Sequence, residues 1–403
     1  MSNSFGTIFR ATSLGESHGR CVGVVVDGCP AGLTLDVDAL AREMTRRRPG
    51  ASKVTTSRSE DDAVEILSGV HEGHTTGAPI LMVTWNSDQE SSRYDAIREK
   101  PRPGHADYAA RARYGGFNDH RGGGRASGRI TAGFVMAGAV AKQLLATMGV
   151  EVLAYTCAIG GIEAPQLSVD EIRASTEVSI VRCPDVKTSV EMIKVIEEAK
   201  RVGDSVGGEV ECLALGLPAG IGQPVFDTIE GDIAKALFAV PAVKAVEFGA
   251  GRRLASMRGS EANDPYTIRD GRVAIVSNNS GGVLGGVTTG APLILSVTFK
   301  PTPSISKKQI TVDLAAGVEA EISVQGRHDP CIVPRAIPVV EAMVAIVLAD
   351  HVLRRGLIPQ VLGEKSLRMK ERSLVTGMRS TDSMRRFWRL WLNELASPRL
   401  SPM

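Results

Sequence analysis

The chain has 403 residues, 43% of them hydrophobic, and 47 Lys and Arg stand against 45 Asp and Glu for a formal charge of +2. That size and apolar content support a large buried core, and the near balance of charge excludes a strongly basic nucleic-acid binder or an acidic solvating chain. Six scattered cysteines, with no CxxC pair and no secretory signal ahead of them, fit reduced thiols in the cytoplasm; aliphatic runs such as 130–141 end at Lys142, short of the roughly 20 apolar residues that a membrane span needs.

Near the N-terminus an apolar approach (Phe5, Ile8, Phe9) leads into GESHG at 15–19, a carboxylate, a hydroxyl and an imidazole between two glycines. Glycines let the backbone turn tightly against a ligand, and the three polar side chains donate and accept protons, so the cluster reads as chemistry set in a turn. Alternation predicts a strand over 22–27, and Asp36 caps a predicted amphipathic helix over 36–48 that ends in Arg46, Arg47 and Arg48. Those arginines suit either a ligand or the negative end of the helix dipole. His71 and His74 sit three apart with Glu72 between them, but no third ligand at a recognisable spacing accompanies the pair, so a metal site is not expected.

Between Arg98 and Arg129 eight Lys or Arg face three acids, which points to an anionic partner. Here PRPGHADY (101–108) and DHRGGGRASGR (119–129) run into an apolar stretch over 128–148, predicted as a buried helix closed by Gly149. A glycine-rich turn before a helix, flanked by Arg121, Arg125 and Arg129, suits phosphate or carboxylate. This stretch lacks the Lys and Ser or Thr of a Walker A loop and does not follow the GxGxxG pattern, so neither a P-loop ATPase nor a Rossmann dehydrogenase is supported.

A helix over 188–202 and a strand over 210–215 follow, and GRHDPCIVPR (326–335) opens a second apolar helix over 334–355. The second region echoes the first. GVHEGHTTGAP (69–79) and GVLGGVTTGAP (282–292) share eight of eleven positions, and Ser17, Gly19, Gly28, Pro30, Ala31 and Gly32 recur as Ser205, Gly207, Gly216, Pro218, Ala219 and Gly220. The expected fold is therefore an α/β sandwich of β-α-β layers, with long buried helices between antiparallel sheets and an internal pseudo-twofold repeat. Residues 1–363 are expected as one domain with halves of about 5–150 and 200–355, and 364–403 as a basic tail, disordered or weakly docked, with a partner-binding or membrane-surface helix as the alternative.

In order, GESHG, RRRPG (46–50), PGHADY, RGGGR, PAGIGQPVFD (218–227), GGVLGG (281–286), KPTPS (300–304) and GRHDPC closely resemble the chorismate synthase family over about residues 5–360. The resemblance implies a cytoplasmic homotetramer that binds FMN and converts 5-enolpyruvylshikimate 3-phosphate to chorismate and phosphate by 1,4-anti elimination, with NADPH as a reductant in some members. By position, His18 matches a proton donor near reduced flavin, His105 the residue assisting phosphate departure, and Ser17 and Asp329 a relay toward the flavin. Flavin positions match Arg125, Ala126, Ser127, Ala242, Gly285, Lys300, Pro301, Thr302, Pro303, Ser304 and Arg327, with Arg47 and Lys53 at the nucleotide and substrate mouth. Charge and motif position assign Arg48, Arg129 and Arg335 to the substrate's phosphate and carboxylates. Departures from commoner family forms are Asn118, Ala126, Ile130 and Asn279. Two other readings compete: a flavin reductase or electron-transfer flavoprotein on the same fold, and an RNA-binding module built on the arginine and glycine stretch, for which only Tyr108, Tyr114 and Phe117 offer stacking surfaces.

Overall fold

The computed structural model describes residues 3–48, 62–87, 94, 98–324 and 329–363; Lys53, Arg327 and the 364–403 tail lie outside these residues. Strands β1 (Ser4–Phe5), β2 (Arg10–Gly15) and β3 (Cys21–Asp27) form an antiparallel meander. β3 is central because its CVGVVVD alternation buries Val22, Val24 and Val26 on one face. β4 (Glu65–Ile66), the hairpin β5 (Val70–His71) and β6 (His74–Thr75), and β7 (Ile80–Trp85) follow, and the first sheet has the order β1-β2-β3-β7-β4.

The second sheet repeats this plan. β8 (Glu151–Ile159), β9 (Ile162–Glu163), β10 (Gly208–Leu215) and β11 (Val243–Phe248) join a later strand, β16 (Leu293–Phe299), in the order β9-β8-β10-β16-β11. Before that strand come the hairpins β12 (Tyr266–Arg269) with β13 (Arg272–Ile275) and β14 (Val283–Leu284) with β15 (Val287–Thr288). Strand for strand, β3 corresponds to β10 and β7 to β16. The matching holds to single hydrogen bonds: Thr75 Oγ1 donates to Pro30 O at 2.6 Å and accepts from Leu33 N at 2.9 Å, while Thr288 Oγ1 donates to Pro218 O at 2.7 Å and accepts from Ile221 N at 2.9 Å.

Between the sheets lie two core helices, Thr131–Ala146 against β2 and β3 and Val333–Arg354 against β8 and β10, packed on each other. Gly138 lets them approach, since a Cβ there would lie 2.2 Å from the Ala342 methyl. By length and hydropathy Val333–Arg354 could cross a membrane, which inspection of the shorter 130–141 run does not reveal; its apolar window is wholly buried inside the protein. Pro338 removes a helical donor, and Arg182 Nη1 takes its place on Pro334 O at 2.6 Å.

Polar ties join the halves through the second core helix. The buried Glu341 accepts from Arg46 at 2.6 and 3.0 Å, from Lys142 Nζ and from Ala154 N, so Arg46 is committed to the fold. The buried Asp350 gathers the backbone N–H groups of Thr7, Ile8 and Phe9. Amphipathic helices occur at Val37–Arg47, capped by Asp36, and at Val186–Arg201, capped by Asp185.

Candidate active site

GESHG forms the turn between β2 and β3. Ser17 and His18 are buried at 1% and 4% exposure, so neither is a solvated turn residue. Asn86 Nδ2 clamps the turn by donating to Glu16 O at 3.1 Å and Gly19 O at 2.8 Å. The 121–125 stretch is no regular helix: Gly122, Gly123 and Gly124 have φ of 59°, 85° and 51°. This bend lays the loop on the GESHG turn, with Ser17 N donating to Gly124 O at 3.4 Å and Ser127 Oγ donating to Ser17 Oγ at 3.1 Å. A Cβ on Gly122 would lie 2.3 Å from the His18 ring, and one on Gly123 3.0 Å from the His105 ring. The two imidazoles therefore flank adjacent residues of one side-chain-free loop.

His105 is held by its own motif. Its Nδ1 donates to Asp107 Oδ1 at 2.7 Å, which leaves Nε2 on the Gly123 side. Arg102 grips the same carboxylate through Nε and Nη2, each at 2.8 Å, and donates through Nη1 to Ser304 Oγ at 3.0 Å. Burial alone would raise the Asp107 carboxyl, but the hydrogen bonds from Arg102 and His105 outweigh it and hold the group well below the usual carboxylate range. Tyr94 lies edge-on to His18, with ring centroids 5.1 Å apart, and the Arg102 guanidinium lies 6.0 Å from the Tyr94 centroid. Lys300 Nζ donates to Gly104 O, which fastens the 300–304 segment to the His105 loop.

An arginine cluster completes the site. Asp62, with a side chain 1% exposed, places one oxygen on Arg47 Nη2 and the other on Arg129 Nη1. Arg129 Nε donates to Asn86 Oδ1 at 2.8 Å, so the cluster is tied to the His18 turn. On its other side Arg335 Nε donates to Arg47 O at 3.3 Å and Nη1 to the Asp329 carboxylate, while Thr302 Oγ1 donates to Asp329 O at 2.9 Å. Burial lowers the Arg47 guanidinium to about 10 against the pull of Asp62, and the neighbouring Arg129 and Arg335 charges push the same way as burial. The Asp62 carboxyl is lowered: burial opposes ionisation, and Arg47 and Arg129 outweigh it.

The structure thus brings His18, Ser17, His105, Ser127, Arg47, Arg129, Arg335, Asp329 and Lys300–Ser304 into one connected network. Ala242, at φ 74°, joins it by accepting from Lys300 N at 3.0 Å. The Arg125 guanidinium is spent on Gly15 O, Ser13 Oγ and Asn3 Oδ1, and Arg121 on Asp119, so these two anion candidates serve the loop itself. Gly285 stands apart. It occupies the β14–β15 turn beyond the Ala214 end of β10, whereas Lys300 follows the Gly208 end, eight residues or roughly 25 Å of strand away. Arg48 follows the helix end as its half-buried C-cap residue, Ala126 is half-buried beside Ser127, and Ile130 is buried. Asn279 Nδ2 donates to Glu261 O and Ala262 O, and Asn118 lines a cavity of about 300 Å³ behind Asp107.

Arg102, Asp107, Asn86, Tyr94 and Asp62 escape sequence reading as site residues. Arg102 and Asp107 stand three before and two after His105, a spacing that is visible in PRPGHAD. Asp62 is 15 residues from Arg47 and 67 from Arg129, and no local pattern could have paired them. Among the described residues no group of three metal-ligating side chains exists, and His71 and His74 are exposed. His351 is buried with Nε2 on Asp232 at 2.8 Å, a core histidine.

Residues 9–353 match the family model described as Chorismate synthase. The chorismate synthase of Dehalococcoides mccartyi is 54% identical over 362 residues, covering 90% of this chain and 100% of the relative. That of Methanosarcina mazei is 54% identical over 356 residues, covering 88% and 97%. A solved structure titled "Crystal Structure of Chorismate Synthase" aligns with a TM-score of 0.69 at 30% identity, covering 91% of this chain and 97% of the other. None of these matches is to a flavin reductase or an RNA-binding module. With the family match spanning both halves and the site between them, this chain belongs to the chorismate synthase family.

Proposed function

We propose that this enzyme converts 5-enolpyruvylshikimate 3-phosphate to chorismate and phosphate, as a carbon–oxygen lyase. The observation that carries the reading is the pair of largely buried imidazoles, His18 and His105, on neighbouring glycines of one loop beside a buried arginine cluster. Two proton-handling groups and several fixed cations are what removal of phosphate and hydrogen from a polyanionic ring requires.

FMN suits the residues present. Gly122–Gly124 form a side-chain-free wall against both imidazoles, and a Cβ on Gly128 would meet nothing within 4 Å, which leaves an open face beside Ser127. Ala126, Ser127, Ala242 and Lys300–Ser304 would hold it, with Arg125 bracing their loop and, outside the described residues, Lys53 and Arg327 as further contacts. Bound and reduced, FMN would lend electron density as phosphate departs and recover it as hydrogen leaves, with no net oxidation.

The protein's own contribution is orientation and proton control. His18 holds a proton beside Ser17, and Ser17 and Asp329 belong to a proton relay. His105, oriented through Nδ1 by Asp107, presents Nε2 to the departing phosphate. Arg48, Arg129 and Arg335 take the phosphate and carboxylates, with Arg47 at the mouth. We assign NADPH as a reductant, a homotetramer as the assembly, the cytoplasm as the compartment and residues 1–363 as the catalytic domain. Anaerobic incubation with the phosphorylated substrate tests the reading: equal amounts of chorismate and phosphate should form with reduced FMN and neither with oxidised FMN. Phosphate without chorismate contradicts it.

A further inference from the structure

Asp62 has no place in the proposed chemistry, yet it is among the least exposed carboxylates near the site, with one oxygen on each of two buried arginines. Its own backbone sits at φ 50°, a conformation that costs a non-glycine residue free energy and persists where surrounding contacts fix it. From Asp62 one chain of contacts runs through Arg129 and Asn86 to the backbone on both sides of Ser17 and His18. Another runs through Arg47 and Arg335 to Asp329 and Thr302. Arg47 is 2% exposed, and its Nε is buried without a hydrogen-bond partner among the described residues. A purely architectural ion pair has no reason to strand a guanidinium donor, whereas a site shaped for an oxyanion does.

We propose that Asp62 is the positioning residue of the anion site: its carboxylate, one oxygen to each guanidinium, fixes the spacing at which Arg47 and Arg129 receive an oxyanion of the substrate. The ligand class is a phosphate or carboxylate, and the assignment of that oxyanion to substrate rests on the proposed reaction. Asp62 acts through the arginines and touches no reacting atom. Its geometry gives the effect a sign. An amide at position 62 can accept from one arginine but turns an N–H₂ group toward the other, so one guanidinium is displaced even though the site gains net positive charge. Simple attraction predicts tighter anion binding in such a variant; positioning predicts weaker binding.

Titration calorimetry of the full chain with inorganic phosphate, at constant ionic strength and without substrate, separates the two. Asp62→Asn should weaken phosphate binding about tenfold or more, and KM for the phosphorylated substrate should rise in parallel while kcat changes several-fold less. Phosphate affinity equal to or tighter than wild type overturns the proposal. Should Asp62→Asn fail to fold, Asp62→Glu carries the test, because it keeps the charge and alters the spacing by one methylene. Phosphate binding about fivefold weaker at an ordinary melting temperature supports positioning, and wild-type affinity contradicts it. If the wild type binds phosphate but makes no chorismate, the proposed reaction fails, and the phosphate comparison still judges Asp62.

Discussion

The Ser17 turn and the Ser205 turn occupy equivalent places in the two halves, ahead of β3 and β10, and they have parted ways. Ser17 is followed by an imidazole and lies under the triple-glycine loop, where it accepts from Ser127 Oγ. Ser205 is followed by Val206; its hydroxyl donates to Thr302 O at 2.7 Å, and Val206 N donates to Pro330 O at 2.9 Å. At the opposite ends of the same strands the halves remain alike, down to the threonine contacts of Thr75 and Thr288. The halves therefore share their scaffold at one end, while at the other one copy packs an imidazole against the glycine loop and its twin clamps the 300–304 segment.

The two halves meet at Glu341, and removing its charge should break the comparison most severely. Glu341→Gln takes the buried carboxylate from the half-buried Arg46 and Lys142 and leaves them only Glu43 and, on Arg46, the more exposed Glu177, a loss of about 3 kcal/mol in denaturant unfolding. The same group predicts an acid limb. Burial would raise its carboxyl, but Arg46 and Lys142 outweigh burial and hold it at about 2, below its ordinary value of 4.5. Its stabilising contribution is thus complete above pH 4.5 and lost as pH falls toward about 2; the variant should show a flatter acid limb in the same unfolding series.

Gly122→Ala tests the chemical copy. It places a methyl against the His18 ring at φ 59° and should lower turnover by about 100-fold, with a modest drop in melting temperature. A full rate would mean that His18 need not lie against the loop. Asp107→Asn removes the charged acceptor at His105 Nδ1 and should lower kcat by about 10- to 100-fold with little change in protein yield; an unchanged kcat would demote that pair to architecture. The smallest effect falls on the shared scaffold. Thr75→Val and Thr288→Val should each destabilise by about 1–3 kcal/mol, nearly equally and without altering kcat, because each strips one hydroxyl from equivalent contacts. Clearly unequal losses would undo the equivalence of the two hairpins.

Much of this architecture is legible in sequence because it is written in periodic or repeated patterns. The buried faces of β3 and the two core helices follow from apolar spacing, and the threonine hairpins follow from the repeated TTGAP. Both candidate histidines, His18 and His105, lie in conspicuous glycine-bearing motifs. What sequence leaves hidden are contacts whose partners are far apart in the chain or that depend on backbone shape. Nothing local marks Asp62 as the bridge between Arg47 and Arg129, or Arg125 as a strut to Gly15 rather than an anion ligand. The consecutive positive φ angles at Gly122–Gly124, which fold the expected glycine-rich turn against both imidazoles, are likewise not written in any local pattern.

The division of labour between the two turns is tested most directly by anaerobic single-turnover rates of His18→Ala and Ser205→Ala side by side, with reduced FMN and the phosphorylated substrate. His18→Ala should be slower than wild type by about 10²- to 10⁴-fold, and Ser205→Ala should stay within about threefold. An unimpaired His18→Ala rate, or equal losses in both variants, would contradict the assignment of the chemistry to one copy.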